Sequence, residues 1–512
     1  MGNKSTKAAV PVETSGKNRF IFDRKLKKTL LCHPIMFFLF QMKLQGKDIK
    51  EWMESIPGND VDIPGVGSFP IDEIIYYYRK LQFLEQNGFF SEIPQEEMIS
   101  KEMTAERINV SLSNLRQVTF ELTDSCQMDC YYCGYGRFYS HYDKRENKFM
   151  DFPTIKRTLD YINGLVNSPL DISHKRDFFV GFYGGEPLLN FSIIKETVNY
   201  VKGLKWLHNN MRFTVTTNGL LLDKYIDFMM EHDFNIFISL DGDESSNAYR
   251  VLKNGKPSYR YVLKNAEMLQ KKYPGFFQKR VFFNAVLHSK NSVEGIVDFF
   301  SNYFNKKPSI LTLNTGGIRE DKVDEFWRTY VNQRQSLYHS EDYSRIEQEM
   351  FIKLGSVQAV TTFLFNSVDF YYADYNNFYY SEKIGIRYPT DTCLPFSRKL
   401  FLTVNGKILA CERIGQEFEL GWVTKEGVQL DYQEIADRYN QWFSLMRNQC
   451  RTCYIYDQCI QCIFYLDLKG GKPVCKNYMD ITKYSRYVSS FLDYFEHKPQ
   501  QFERILKEVI ID

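Results

Sequence analysis

The sequence predicts an α/β protein: a partial (β/α)6 barrel preceded by a small mixed unit and followed by a cysteine-rich domain. Three observations carry that prediction. Apolar β-type runs at residues 117–122, 178–183, 212–217, 235–240, 280–287 and 309–314 alternate with amphipathic helical patterns, the mark of parallel α/β architecture. A chain of 512 residues is too long for one hydrophobic core. The 11 cysteines are unevenly spread, with Cys32 alone, three near residue 130 and seven after residue 390.

Taken in order, residues 1–18 are small, polar and basic without periodicity, and read as a disordered tail. Residues 19–100 hold a β-like segment, an apolar helix around Ile35–Met42, a Gly/Pro/Asp-rich stretch from Pro57 to Pro70, and a helix through Ile75–Gln86. That last helix stops at the αL-compatible pair Asn87-Gly88, and a strand follows. The barrel occupies 112–320. Residues 321–385 are aromatic and less periodic, including Phe370-Tyr371-Tyr372, and read as a bridging segment packed on the barrel. Within 386–480 the short strands Leu400–Val404 and Lys407–Cys411 give way to cysteine-dense loops, which lack core enough to fold without metal. C-terminal helices fill 481–512.

Basic and acidic residues nearly balance, 65 against 63, so no global field exists to hold nucleic acid or an anionic membrane. The most apolar N-terminal stretch, Pro34–Phe40, is too short to span a bilayer, and the opening MGNKSTKAAV has no secretory core. The expected location is cytoplasmic, where clustered thiols point to metal rather than to a disulfide scaffold.

Directly after the first barrel run stands Cys126-x3-Cys130-x2-Cys133, with Tyr132 before the last cysteine. Three thiolates can hold three irons of a [4Fe–4S] cube and leave the fourth open to a small molecule, whereas four would close it. The spacing alone also suits zinc. Gly184-Gly185-Glu186-Pro187 follows the second run, where glycines permit close backbone approach and a carboxylate can accept from an ammonium. Thr216-Thr217-Asn218-Gly219 ends the third run and Ser239-Leu240-Asp241-Gly242 the fourth, at the strand edges where barrel enzymes place their sites.

Together these motifs resemble the radical S-adenosylmethionine (SAM) superfamily. The resemblance implies a [4Fe–4S] cluster on Cys126, Cys130 and Cys133 whose open iron takes the amino and carboxylate groups of SAM. It implies SAM contacts from Gly184, Gly185, Glu186, Pro187 and Asn218, from Ser239 to the ribose or methionyl part, and from Asn314 to the adenosyl group. Arg250 lies where related enzymes carry an arginine facing the site; pinning a loop is its alternative role.

The tail reads Cys393-x12-Gly406-x4-Cys411, then Cys450-x2-Cys453-x5-Cys459-x2-Cys462, then Cys475. It resembles the SPASM extension of radical SAM enzymes, which holds two auxiliary [4Fe–4S] clusters. By that resemblance Cys450, Cys453, Cys459 and Cys475 close the outer cluster, while Cys393, Cys411 and Cys462 serve the inner one. Two residues separate Cys459 from Cys462 where the family has three. The segment before Cys393 lacks a cysteine, so the inner cluster either has an open iron, for a substrate thiolate, water or Asp391, or is purely structural. Glu412 stands where sulfatase maturases carry a proton acceptor; burial near a cluster is expected to raise its pKa toward neutrality, and a contact with Arg413 is the alternative.

The segment 19–92 resembles in outline the winged-helix-like leader-recognition module of peptide-modifying radical SAM enzymes. The implied function is maturation of a ribosomally made precursor peptide, leader plus core, by a thioether or carbon–carbon cross-link, with an external electron donor such as flavodoxin or ferredoxin. The alternatives are a sulfatase-type maturase making formylglycine and a non-enzymatic zinc-binding protein.

Overall fold

The structure is a computed structural model that describes residues 6–7, 9–93, 99, 101–172, 175–351, 355–367, 387–390, 394–459, 461–469 and 472–508. Cys393, Asp391 and the tract Phe370–Tyr372 lie outside the described residues.

The chain opens with strands β1 (Thr6–Lys7), β2 (Ala9–Glu13), β3 (Arg19–Asp23) and β4 (Lys28–Leu31), the last three forming an antiparallel sheet in the order β2-β3-β4. The expected disordered tail is therefore corrected: Val10 and Val12 are fully buried. Their alternation with Pro11 is a period-2 signal too short to stand out, and proline is tolerated because β2 is an edge strand. A serine of the C-terminal helix Ile481–His497 secures that edge, Ser489 Oγ donating to the Glu13 carbonyl at 2.7 Å.

This small sheet has two buried faces. Ala9 and Ile21 join the core of the N-terminal unit, with Ile35, Leu39 and Phe40 of α1 (Pro34–Leu44) and Ile74 and Leu81 of α3 (Ile71–Gln86). Val10, Val12 and Phe22 point the other way into the main core. Between α1 and α3 come α2 (Ile49–Glu54) and a hairpin of β5 (Asp60–Ile63) and β6 (Gly67–Pro70), which is the form the Gly/Pro/Asp-rich stretch takes. The helix stop falls one residue later than its cap: Asn87 keeps φ −94° and Gly88 takes the left-handed turn at φ +87°. Strand β7 (Glu92–Ile93) follows, pairing with β1.

The barrel strands are β8 (Gln117–Glu121), β9 (Arg176–Tyr183), β10 (Asn209–Thr217), β11 (Asn235–Ser239), β12 (Val281–Leu287) and β13 (Ser309–Thr312), all parallel and in sequence order. Helices such as Phe152–Val166 and Val293–Phe304 connect them and bury one apolar face each, as parallel crossovers require. The sixth strand ends at Thr312, so Asn314 sits beyond it.

The six-stranded sheet does not stop at β8. Strand β14 (Lys399–Leu402) adds parallel to β8, with Lys399 opposite Gln117 and Leu402 opposite Phe120. Strands β15 (Lys407–Leu409), β16 (Gly421–Val423) and β17 (Val428–Gln429) extend it antiparallel, making ten strands in one sheet among the described residues. The start of the cysteine-rich region is thus continuous with the barrel.

Candidate active site

The loop after β8 is shaped by its neighbours before any cofactor is considered. The Asp124 carboxylate accepts from the backbone N–H groups of Lys148 at 2.8 Å and Glu146 at 2.7 Å, and Thr123 Oγ1 donates to the Lys148 carbonyl at 2.6 Å. Further on, Asp129 N–H donates to Val251 O at 2.8 Å and Tyr131 N–H to Tyr249 O at 2.9 Å, pairing the cysteine loop with the segment after β11. Cys133 N–H closes a turn onto Cys130 O at 3.1 Å.

These contacts gather Cys126, Cys130 and Cys133. Burial first, then the neighbouring thiols Cys133 and Cys126, push the Cys130 thiol up to about 12, while Arg250 opposes the shift. Arg145 donates to Cys133 Sγ at 3.1 Å, and Asn218 Nδ2 reaches Cys126 Sγ at 3.5 Å. Buried thiolates are costly unless a cation compensates them. The trio is thus suited to metal. Among the described residues no three His, Cys, Asp or Glu side chains converge on a single ion, and a cube needs no such convergence because each thiolate holds a different iron.

The Gly184–Glu186 loop lies on the cysteine loop. Gly185 N–H donates to Thr123 O at 2.7 Å and Glu186 N–H to Ser125 O at 2.8 Å. A Cβ on Gly184 would stand 2.3 Å from Thr123 O, and one on Gly185 2.2 Å from Ser125 O. The glycines therefore let two backbones touch. Glu186 is fully buried and accepts from Thr217 Oγ1 and Asn218 N–H at 2.7 Å each and from Leu188 N–H at 3.1 Å. Burial raises its pKa to about 7, these donors limiting the rise. Glu186 thus ties the ends of β9 and β10 together, with Pro187 opening a short 3-10 turn beyond it. Ser239 closes β11, half-buried.

A polar network that the motifs did not announce lies behind the cysteines. Tyr132 Oη donates to Asp241 and accepts from Arg250 at 3.1 Å, while His288 Nε2 stands 3.5 Å from Asp241 Oδ2. Asp241 also accepts from Val286 N–H at 3.0 Å. Burial works against the Arg250 charge, but Tyr132, Cys130 and Asp241 outweigh it. Arg250 both pins its loop, through its carbonyl and Ser258 Oγ at 2.7 Å, and supplies positive charge to the thiols.

Asn314 turns toward the cysteine-rich region, its amide donating to Tyr465 Oη at 2.7 Å and Arg413 O at 3.3 Å. Glu412 faces Lys399, at 2.9 and 3.2 Å, and not Arg413. Burial alone would raise its pKa, but the Lys399 ammonium outweighs burial and holds the carboxyl below the usual range. The expected shift toward neutrality is corrected, because a strand-borne lysine beside β8 could not be inferred from the neighbours of Glu412 in sequence.

In the tail, burial first and then the thiols of Cys459, Cys453 and Cys475 push Cys450 up to about 12, so these four share one neighbourhood. Cys462 and Cys411 both act on Tyr465. No helix among the described residues is long and apolar enough to cross a membrane.

Residues 120–301 match the Radical SAM superfamily. The chain carries a radical SAM enzyme domain. A radical SAM domain implies a [4Fe–4S] cluster and SAM. An uncharacterized protein of Methanocaldococcus jannaschii is 31% identical over 160 residues, covering 31% of this chain and 50% of the relative. The radical SAM cyclopropyl synthase TigE of Paramaledivibacter caminithermalis is 24% identical, covering 52% of this chain and 55% of TigE. A serine-type anaerobic sulfatase-maturating enzyme of Bacteroides thetaiotaomicron is 27% identical, covering 28% of this chain and 34% of that enzyme. The chain thus spans about half or less of these relatives. Among solved structures, native anSMEcpe with bound AdoMet and Kp18Cys peptide superposes with a TM-score of 0.51 at 15% identity, covering 77% of this chain and 99% of that one. The fold is shared.

Proposed function

We propose that this chain is a cytoplasmic radical SAM maturase that cross-links a ribosomally made precursor peptide through a thioether or carbon–carbon bond. Cys126, Cys130 and Cys133 would hold the [4Fe–4S] cluster, which would supply the one-electron chemistry for reductive cleavage of SAM to a hydrogen-abstracting 5′-deoxyadenosyl radical. An external donor such as flavodoxin or ferredoxin provides that electron. Asn218, Ser239, Arg250 and the Gly184–Pro187 loop would contact SAM, and Glu186 orients that loop. The tail thiols Cys450, Cys453, Cys459 and Cys475 hold an outer auxiliary [4Fe–4S] cluster, with Cys393, Cys411 and Cys462 on an inner one. In support, the relative TigE is a radical SAM cyclopropyl synthase, and the anSMEcpe structure, which shares the fold, contains a bound peptide.

The observation that carries the peptide reading is the outer edge of the N-terminal sheet. Among the described residues no strand pairs with the outer side of β4, where Leu31 is 70% exposed. Beside it His33 stacks on Tyr77 of α3 at 4.3 Å, and α3 presents Tyr76 and Phe83, 57% and 61% exposed. An unpaired strand next to an aromatic helix face is what β-augmentation by an extended leader requires. Because Cys32 N–H is bonded inward to Arg19 O, ladder alternation turns the N–H of Thr29 outward. Thr29→Pro therefore removes an edge donor and spares the sheet. Assayed with the product of any short open reading frame found beside the gene, this variant should lose leader binding and peptide turnover yet keep uncoupled SAM cleavage. Unchanged peptide turnover would refute leader capture at β4.

The second reading, formylglycine formation, is favoured by the carboxylate of Glu412 beside Cys411, 3.6 Å from its sulfur. A maturase of that class would modify a sulfatase-derived cysteine or serine peptide and ignore Thr29→Pro.

A further inference from the structure

The turn after β3 carries a cation into the cysteine-rich tail. Asp23, fully buried, fixes this turn by accepting from Leu26 N–H at 2.9 Å and Phe90 N–H at 2.8 Å. Arg24 follows, 6% exposed, and its guanidinium lies over three tyrosine rings: Tyr454 at 5.0 Å, Tyr456 at 5.2 Å and Tyr484 at 5.2 Å. None of its three nitrogens has a hydrogen-bond partner among the described residues. Asp457, likewise with a buried unpartnered oxygen, belongs to the same neighbourhood. Tyr454, Tyr456 and Asp457 all lie on the loop between Cys453 and Cys459.

Burial makes a guanidinium expensive, and here the Asp457 carboxylate and the three tyrosines offset that cost and keep Arg24 charged. A pin joining two units needs no charge, and a leucine or methionine would fill the same cage. What the position offers is a desolvated positive charge inside the loop that joins two of the four clustered thiols.

We propose that Arg24, supplied by the N-terminal unit, is a positioning residue that sets the reduction potential of the cluster held by Cys450, Cys453, Cys459 and Cys475. The proposal rests on the auxiliary-cluster reading above. A [4Fe–4S] centre with four thiolates is anionic and gains one more negative charge on reduction, so a nearby cation in low dielectric favours the reduced state. Removing Arg24 then makes the cluster harder to reduce, and removing Asp457 makes it easier.

The test uses the full chain with Cys126, Cys130 and Cys133 replaced by alanine, reconstituted anaerobically with iron and sulfide, so that only tail centres report. Iron content is measured first, with and without Cys450→Ala; if this substitution does not lower it, the auxiliary-cluster reading itself fails. EPR-monitored redox titration then compares Arg24→Met and Arg24→Lys with the parent. Arg24→Met is expected to lower the reduction equilibrium constant at least about tenfold, a midpoint 59 mV more negative for one electron, while Arg24→Lys restores most of the shift. Full iron content with an unmoved midpoint in Arg24→Met overturns the proposal and leaves Arg24 a structural pin. If Arg24→Met does not fold, Asp457→Asn reads the same field with opposite sign: a more positive midpoint supports the proposal, and an unmoved one overturns it.

Discussion

Gly184→Ala tests whether the site depends on direct contact between two backbones. The new Cβ would lie 2.3 Å from the Thr123 carbonyl oxygen, about 1 Å inside ordinary contact, and 3.3 Å from Glu121 Cγ. Neither neighbour is a flexible side-chain end, since one is backbone and the other the stem of a buried strand residue. The residue also holds φ +133°, which an L side chain resists. Strain at such a position costs about 1–3 kcal/mol. Parting the loops weakens the Gly185–Thr123 and Glu186–Ser125 hydrogen bonds, at roughly 0.5–1.5 kcal/mol each. The sum, about 2–6 kcal/mol, is borne locally by loops at the end of the barrel. A displacement near 1 Å of a group that orients SAM costs on the order of a hundredfold in rate. Reductive SAM cleavage, followed as 5′-deoxyadenosine, should therefore fall about a hundredfold in protein that retains iron and its far-UV circular dichroism. Cleavage within threefold of wild type would refute the claim that the touching loops set the geometry.

Replacing Cys126, Cys130 and Cys133 by alanine together should abolish 5′-deoxyadenosine formation while tail-bound iron persists; retained cleavage would sink the cluster assignment. Glu412→Gln should keep SAM cleavage, and if Glu412 is the proton acceptor product should fall at least about a hundredfold; turnover within a few-fold of wild type would make Glu412 a structural partner of Lys399. Glu121 is buried with its pKa raised to about 8, burial being the main cause. A raised carboxyl pKa means stability present below the unfolded value and lost as pH rises toward the folded one. Urea midpoints of the apo-protein should therefore decline between about pH 4.5 and pH 8, and Glu121→Gln should flatten that decline; an equal slope in both proteins would contradict it.

The six barrel strands were legible because each is a continuous apolar run between turn residues, and burial on both faces leaves that signature. The cysteine motif was legible for a different reason, since ligand spacing is local. What escaped is tertiary. Asp241 was visible as a letter in Ser-Leu-Asp-Gly, but its partners Tyr132, Arg250 and His288 come from three other segments. Lys399 reaches Glu412 only because β14 pairs with β8. Residues 9–13 escaped because a five-residue edge strand with a proline carries little pattern of its own, and its burial is supplied by α1 on one face and the main core on the other.

That double burial changes how the N-terminal unit should be probed. Deleting residues 1–100 removes Val10, Val12 and Phe22 from the main core, where Phe22 packs on Tyr484 and Phe363 at 6.4 and 5.9 Å. It also removes Arg24 from its tyrosine cage. Loss of activity after such a truncation would mix three effects: a destabilised core, an altered tail and an absent leader site. Thr29→Pro touches only the last, because Thr29 is exposed and its N–H points away from β3. A similar continuity holds within the larger sheet, where β14 lies against β8 and Tyr183 of β9 packs on Phe401 at 6.0 Å. Cys411, just after β15, and the loop of Cys126, after β8, therefore hang from strands of one sheet with only β14 between them, and a ladder, not a linker, fixes their separation. If the proposed leader binds at β4, the reach of its core peptide to these cysteines would be set by the length of chain between leader and core.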